Sequence, residues 1–190
     1  MIIPFRRTAS FETAAAQEEK GVYLTCLGML GNREDASDAL QETMLRAFRA
    51  WNTFRGEASA KTWMHRIAVN VCLDMLRARK AEASLDALRE DGFEPSGEAE
   101  SVYLALERSE RERLLQEAIV ALPEDQRSLV VLRDLRGLSY EEIAGALSLP
   151  LGTVKSRLNR AREKLTMLLL KNAELFQQSF VSKSERRRQG

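Results

Sequence analysis

The segment from Leu138 to Leu165, LSYEEIAGALSLPLGTVKSRLNRAREKL, limits what this chain can fold into more than any other stretch. The hydroxyl of Ser139 can accept from the free N–H groups of a first helical turn, and Glu142 can reach back to the Ser139 N–H, which completes a capping box. Pro150 ends that helix, because proline lacks an N–H and disfavours helical backbone at the preceding residue. The segment therefore predicts two short helices joined by a tight turn.

The second helix of this segment is predicted to begin near Gly152 and has two unlike faces. The apolar face consists of Val154, Leu158, Ala161 and Leu165. The opposite face consists of Lys155, Ser156, Arg157, Asn159, Arg160 and Arg162. Such a polar face suits the major groove of DNA, because cations contact phosphates and forked or amide donors reach base edges. An ordinary amphipathic helix with a solvated charged face gives the same pattern, so the rest of the chain must decide.

Charge is distributed unevenly along the 190 residues, a length that suits one or two small domains. The formal net charge is only +1, which argues against a general polyanion binder. The segment 82–112 nevertheless holds ten acidic residues and three arginines, whereas 150–171 holds six cations and one acid. The near-neutral total therefore hides an acidic middle and a basic C-terminal helix.

Neither membrane insertion nor disulfide bonding is expected. No run approaches the roughly 20 apolar residues that a transmembrane helix needs, and the N-terminal MIIPFRRTAS lacks an apolar stretch of signal-peptide length. We therefore expect a cytoplasmic protein. Cys26 and Cys72 are too few for a disulfide framework and lie among apolar residues, so we expect buried thiols.

The N-terminal part reads as three main helices preceded by a short one. A short helix over 11–20 is expected to be interrupted by Gly21, and an apolar helix follows over 22–30. A second helix is predicted over 34–51 and, after a loop, a long third helix to about residue 80.

The remainder of the chain reads as a linker followed by a second group of helices. The acidic, glycine- and proline-containing stretch has the composition of a flexible linker. Amphipathic patterns stopped by Pro123 and Gly137 then precede the two helices described above, and the polar tail after Leu170 is predicted to be disordered. The predicted fold is all-α, with two small helical domains, an N-terminal helical bundle and a C-terminal four-helix domain with a helix-turn-helix. The predicted boundaries are 1–80, linker 81–112, 113–171 and tail 172–190.

Two stretches carry a resemblance to a known family. The sequence LPEDQRSLVVLRDLRGLSYEEIAGALSLPLGTVKSRLNRAREKL resembles the C-terminal domain of extracytoplasmic-function (ECF) sigma factors. The sequence MLGNREDASDALQETMLRAFRAWNTFRGEASAKTWMHRIAVNVCLDMLRARK resembles their N-terminal domain. The two occur in the family's order and together cover roughly 22–170.

The resemblance implies a bacterial transcription-initiation subunit without covalent chemistry of its own. Such a protein binds core RNA polymerase through the β′ clamp helices and the β flap, reads the −35 promoter element with its second domain, and captures and melts the −10 element with its first. It also implies a cognate anti-sigma factor that holds the protein inactive.

Family roles transfer to three sets of residues. The set expected to bind core polymerase is Asp38, Gln41, Glu42 and Arg46. The set expected to bind the −10 strand is Phe54, Arg55, Gly56, Lys61, Trp63, Arg66, Asn70, Asp74 and Arg77. The set expected to bind the −35 duplex is Arg133, Thr153, Lys155, Ser156, Arg157, Asn159 and Arg160. The chemistry fits, because amides and carboxylates can read a flipped base, whereas cations hold a single strand.

Neither a cofactor nor a metal is expected. His65 and Cys72 are two turns apart on one predicted helix, but a structural zinc site needs more ligands than these two. Two other classes remain as alternatives to the sigma factor. One is a free-standing helix-turn-helix regulator that binds duplex DNA, and the other is a helical module that only sequesters partners. The segment 34–79 distinguishes the first, because such a regulator has no reason to contain it.

Overall fold

The computed structural model describes residues 10–56, 58–86 and 110–186, with side chains described within 10–82 and 112–171. Over these residues the fold is all-α, as predicted from the sequence. The helices are α1 (Phe11–Leu30), α2 (Arg33–Ala50), α3 (Ala60–Asp86), α4 (Glu110–Val120), α5 (Glu124–Val130), α6 (Tyr140–Leu147) and α7 (Leu151–Arg186).

Helices α1, α2 and α3 pack against one another as the first helical unit. Ser10 caps α1 by accepting from the Thr13 N–H at 3.3 Å, and Gly31 ends it in the left-handed conformation, with φ of 87°. Asn32 then caps α2 by accepting from the Asp35 N–H at 2.9 Å. The connection between α1 and α2 is therefore very short, which fixes these helices as neighbours.

The prediction that Gly21 interrupts the first helix was wrong, because α1 runs through it without a break. The Thr25 hydroxyl donates to the Gly21 carbonyl at 3.1 Å, and a Cβ at Gly21 would lie 3.6 Å from the His65 ring. A glycine in a helix costs about 1 kcal/mol relative to alanine. Packing of the neighbouring turns of α1 onto α3 offsets this cost. A prediction from the local sequence pattern alone does not include such packing.

The second helical unit comprises α4 to α7. Helix α5 widens into a π-type turn over Val131–Leu135, where the Arg136 N–H donates to the Val131 carbonyl at 3.0 Å. The capping box predicted at Ser139 and Glu142 is present at the start of α6. Ser148 ends α6 in the left-handed conformation, so the predicted break before α7 is confirmed.

Two helices extend beyond their predicted ends. Helix α3 continues to Asp86, and the residues 87–109 of the predicted linker lie outside the described part of the chain. Helix α7 continues to Arg186, so the expectation of a disordered tail was wrong for 172–186. The tail contains alanine, leucine, glutamate, glutamine and lysine, which favour a helix even without packing.

The two helical units share one hydrophobic core. The C-terminal half of α1 contacts α4, α5 and the turn that follows α5, and α3 contacts α6. Cys26 and Cys72 are fully buried free thiols, as expected. In the described residues, no helix is both long and apolar enough to span a bilayer.

Candidate nucleic-acid and polymerase interface

The first three turns of α7 present one buried and one exposed face. Val154, Leu158 and Ala161 are buried in the core. The polar side chains of the predicted −35 set that are exposed are Lys155, Ser156, Asn159 and Arg160. The face that the sequence assigned to DNA is therefore open to solvent, on a helix held in place by its apolar side.

Two arginines of the −35 set already have partners within the second unit. Arg133 donates to the Leu138 carbonyl at 2.7 Å, and its guanidinium lies 4.8 Å from the centre of the Tyr140 ring. Arg157 lies 3.5 Å from a carboxylate oxygen of Asp125. The ion pair of Arg157 and Asp125 lies at the surface and contributes little to stability, whereas Arg133 is held by a carbonyl and a ring.

Neighbouring side chains on α7 have structural partners. Arg162 makes a two-pronged contact with Asp134, whose carboxylate raises the pKa of the guanidinium. Asn159 donates to Glu163 at 2.9 Å. Thr153 is partly buried in the first turn, where its carbonyl accepts from the Ser156 hydroxyl at 3.2 Å. Arg162 therefore ties α7 to the turn after α5 and is not offered to a ligand.

The −10 set includes part of an aromatic cluster, defined by Phe11, Phe48, Trp51, Phe54 and Trp63. Trp51 and Phe54 stack with ring centres 5.3 Å apart, and Phe54 lies 5.0 Å from Trp63. Phe11, at the start of α1, meets Phe48 and Trp51 edge to face at 5.3 and 5.6 Å. The loop that begins at Phe54 therefore packs on the aromatic cluster, to which all three helices of the first unit contribute rings.

Trp63 is partly buried and contacts two rings of the cluster, Trp51 and Phe54. Next in this loop, Arg55 is exposed and Gly56 has a φ of 72°, which favours glycine. Arg66, Asn70 and Arg77 are exposed along α3.

One contact joins the −10 set to the polymerase set. Arg46 of α2 lies 2.6 Å from Glu42 and 3.0 Å from Asp74 of α3. Asp74 also accepts from Arg77 at 3.2 Å. Hydrogen bonds from Arg46 to Glu42 and Asp74 raise the pKa of this guanidinium. The other two polymerase residues, Asp38 and Gln41, are exposed on α2.

Lys61 differs from the other cations of the −10 set because it is partly buried. Its Nζ donates to the backbone carbonyl of Arg136 at 3.1 Å, in the second helical unit. The adjacent Thr62 is buried and donates to Glu142 at 2.6 Å. Nothing in the local pattern pointed to Thr62, Glu142 or Phe11 as part of the site, because their contacts join residues far apart in the chain.

His65 is buried beside this junction. Its Nδ1 and the Thr25 hydroxyl share a hydrogen bond of 2.9 Å, and Nε2 lies 4.0 Å from Glu18. Burial, with the nearby charges of Arg136 and Lys61, lowers the pKa of His65 to about 4. In the part of the chain that the structure describes, no group of three metal-ligating side chains is found.

Comparisons with known proteins identify the class of protein to which this chain belongs. The family model for sigma-70 region 2 matches residues 16–82, and that for sigma-70 region 4 matches residues 112–165. The chain is 39% identical over 137 residues to the ECF RNA polymerase sigma-E factor of Salmonella typhimurium, covering 69% of this chain and 72% of the relative. It is 36% identical over 170 residues to the ECF sigma factor SigE of Mycolicibacterium smegmatis, covering 90% and 65%. The chain belongs to the ECF family of RNA polymerase sigma factors.

Solved structures agree on the fold. The sigma factor RpoE of Bartonella quintana, in complex with the anti-sigma factor NepR, matches with a TM-score of 0.69 at 24% identity, over 84% of this chain and 96% of that one. CnrH, in complex with the cytosolic domain of CnrY, matches with a TM-score of 0.60 at 24% identity, over 84% and 86%. The match to region 2 favours the sigma factor over a free-standing helix-turn-helix regulator.

Proposed function

We propose that this ECF sigma factor binds core RNA polymerase and directs transcription from promoters that it reads at two elements. The exposed polar face of α7 enters the major groove at the −35 element, with Lys155, Arg157 and Arg160 as its cations. The observation that carries the proposal is the orientation of α7, whose apolar side is buried while this face is open. Arg133 supports the face from the turn after α5, and Thr153 lies where a helix N-terminus favours phosphate.

The first unit, within residues 1–80, takes the −10 element. The loop of Phe54, Arg55 and Gly56, resting on the aromatic cluster, forms one side of a site for an unstacked base, and Asn70 and Asp74 of α3 read its edge. Trp63, Arg66, Arg77 and Lys61 line the path of the single strand, where rings stack on bases and cations hold phosphates. The role is recognition and strand separation, with no covalent step.

The polymerase is held by an exposed stretch of α2. Asp38, Gln41, Glu42 and Arg46 project from one helix, which suits docking onto the clamp-helix coiled coil of β′, and the second unit (113–171) contacts the β flap. The neighbouring exposed side chains of Leu45 and Phe48, 42% and 59% accessible, add apolar area to this face. The acidic sequence predicted as the linker, 81–112, follows the first unit in the chain and leads into the second.

A cognate anti-sigma factor is the expected regulator, because the similar sigma factor RpoE of Bartonella quintana is in complex with the anti-sigma factor NepR. The protein is expected to act in the cytoplasm, where RNA polymerase works.

The test is run-off transcription with purified bacterial core RNA polymerase on a library of genomic fragments, with and without this protein. Specific new starts that share two spaced upstream motifs are expected. The proposal would be overturned, in favour of a free-standing regulator, if no such transcription starts were found and the protein bound duplex DNA in a gel shift without polymerase.

A further inference from the structure

A polar stripe runs along α3 and is defined by Arg66, Asn70, Asp74 and Arg77. Helical steps of four, four and three residues place these side chains on one face of the helix. All of them are exposed, whereas the opposite side of α3 is buried in the core. The stripe is therefore the side of α3 that a ligand of the first unit meets.

Within this stripe, Asp74 is held by two arginines. Arg46 of α2 donates from Nη1 to Oδ2 at 3.0 Å, and Arg77 donates from Nη1 to Oδ1 at 3.2 Å. Arg46 is itself anchored, because its Nε donates to Glu42 at 2.6 Å. The side chain of Asp74 nevertheless remains 48% exposed. The two arginines therefore fix the direction of a carboxylate that a ligand can still reach.

These ion pairs position Asp74 more than they stabilise the fold. The side chains in the three pairs are between 40% and 69% exposed, and pairs at such exposure contribute little because solvent screens them. An arginine, however, carries separate N–H groups in a rigid fork. Arg46 therefore binds Glu42 and Asp74 at the same time, which restricts the rotation of the Asp74 carboxylate.

Both oxygens of Asp74 keep room for a further donor. An ionised carboxylate only accepts hydrogen bonds, and its two oxygens offer about four lone-pair sites. Arg46 and Arg77 occupy one site on each oxygen. Toward a ligand the group is a fixed acceptor with no donor to offer, unlike the amide of Asn70, which has both.

The four DNA bases differ in how well they match such an acceptor. Adenine, cytosine and guanine carry an exocyclic amine that donates, and an aspartate that accepts from the amine of cytosine is a standard pairing in DNA readout. Thymine has no such amine, and its Watson–Crick edge places carbonyl acceptors on both sides of a single N–H. A carboxylate that faces a carbonyl leaves both acceptors without a donor, which costs free energy.

We propose that Asp74 determines which base the −10 site captures, that this base carries an exocyclic amine and is not thymine, and that Arg46 and Arg77 are the positioning residues of Asp74. This inference rests on the proposed function of Asn70 and Asp74 and deepens it by naming the class of base. Asn70 serves any base by turning its amide, whereas Asp74 rejects thymine. Arg46 thus contributes to −10 reading from a helix whose other exposed residues face the polymerase.

Forked DNA templates that are already single-stranded across the −10 element test this base preference without the energy of strand separation. The element comes from a promoter found by run-off transcription, and a template that lacks the base at one position identifies the captured base as the one whose loss weakens binding most. That position is then made adenine, cytosine, guanine or thymine. Competition gel shifts with the assembled holoenzyme should show thymine bound about tenfold more weakly than the best base.

Asp74→Asn replaces the fixed acceptor with an amide that also donates. The thymine penalty should fall to about twofold or less, because the amide can donate to a thymine carbonyl. Any loss of binding that is equal for all four bases cancels in this ratio, so a general effect on the holoenzyme does not imitate the result. Glu34→Gln is the matched control, since it changes an exposed carboxylate of α2 to an amide and should keep the wild-type ratio. Circular dichroism confirms that each variant is folded.

Arg46→Lys and Arg77→Lys test the positioning role. Each keeps the positive charge but loses the guanidinium fork. The thymine penalty should fall to about threefold in each variant, because the carboxylate is then free to turn away from the base. A purely structural role of these arginines would weaken binding of all four bases equally and leave the ratio unchanged.

Two results would overturn the inference. One is wild-type holoenzyme that binds thymine at the captured position as well as the other bases, and the other is a thymine penalty that persists in Asp74→Asn. A protein that gives no polymerase-dependent starts would instead refute the proposed function. Polymerase-dependent starts with no preference against thymine would leave the proposed function standing and remove only the role of Asp74.

Discussion

Thr62 donates a 2.6 Å hydrogen bond to Glu142, although the two residues are 80 positions apart in the chain. The same carboxylate closes the capping box of α6 by accepting from the Ser139 N–H. Glu142 therefore serves the local structure of the helix-turn-helix and the contact between the two helical units at once.

Glu142→Ala should destabilise the protein more than an ordinary substitution in a first helical turn. It removes the capping-box acceptor and leaves the buried Thr62 hydroxyl with one partner fewer, so we expect a loss of about 1–2 kcal/mol in the free energy of unfolding. Urea denaturation measures this loss. Glu141→Ala is the matched control, since Glu141 is an exposed acid in the same turn. This substitution should lower the free energy of unfolding by only a few tenths of about 1 kcal/mol. Equal losses in the two variants would contradict the double role.

The buried His65 should make the protein less stable in mild acid. Its pKa is about 4 in the folded chain, below the ordinary 6.5, so the unfolded chain binds more protons between these values. Stability from this group is therefore full above pH 6.5 and falls as the pH drops toward 4, by about 2 kcal/mol at about pH 5. The groups facing the ring are Thr25, Glu18, Lys61 and Arg136.

His65→Gln isolates this effect, because the amide does not titrate. Urea unfolding of both proteins from about pH 4.5 to 7.5 should show a free energy of unfolding that rises more steeply with pH in the wild type. The carboxylates titrate in both proteins and cancel in the difference. Parallel curves would show that His65 carries no linked proton.

The local features of this fold could be predicted from the sequence, and the long-range ones could not. The capping box of Ser139 and Glu142 spans one helical turn, so its pattern is complete within the sequence. The continuity of α1 through Gly21 could not be predicted from the local pattern. The packing that offsets the cost of a glycine in a helix involves His65, which lies far along the chain. Thr62 and Glu142 meet only because the units dock, and the linker composition gave no reason to expect that.

The same distinction applies to the candidate site. Lys155 and Arg160 are exposed on α7, where helical spacing placed them. Lys61 was expected to hold the −10 strand, and in the structure its Nζ donates to the Arg136 carbonyl of the second unit. Helical spacing therefore predicts which residues lie on the same face of a helix, but it does not predict which of those residues are contacted by a distant part of the chain.

The aromatic cluster should depend on Phe11, which precedes the residues 16–82 that match sigma-70 region 2. Phe11→Leu loses two edge-to-face contacts and should cost about 1–2 kcal/mol in the free energy of unfolding. Phe48→Leu loses one such contact on a ring that is 59% exposed, so it should cost less. The fluorescence of Trp51 and Trp63, the two tryptophans of the chain, reports on the cluster during urea denaturation. A larger cost at Phe48 would contradict this order.

Lys155→Ala and Arg160→Ala should each weaken binding to the promoter duplex. A residue that reads a base should cost about 1–3 kcal/mol at one position of the −35 element, whereas a phosphate contact should weaken all sequences equally and reduce the salt slope by about one. Gel shifts of the holoenzyme at several salt concentrations separate the two. Lys171→Ala is the control, since Lys171 is an exposed cation on the same helix outside the predicted face. Two variants that bind and initiate like the control would show that the assigned face is wrong.

Asn70→Ala should impair strand opening more than closed-complex binding, because its amide is proposed to read a base that is exposed only after separation. Asn70 is exposed on α3, so the change should leave the free energy of unfolding within about 0.5 kcal/mol of wild type. Permanganate footprinting reports open DNA, and a gel shift of the same holoenzyme reports binding. Gln17→Ala, an exposed amide on α1, is the matched control. An equal loss in both assays would mean that Asn70 acts through structure.

Asp74 offers a contrast, since Arg46 and Arg77 already hold its carboxylate. Asp74→Asn should therefore also disturb the contact between α2 and α3 and lower polymerase binding, an effect that Asn70→Ala should not share.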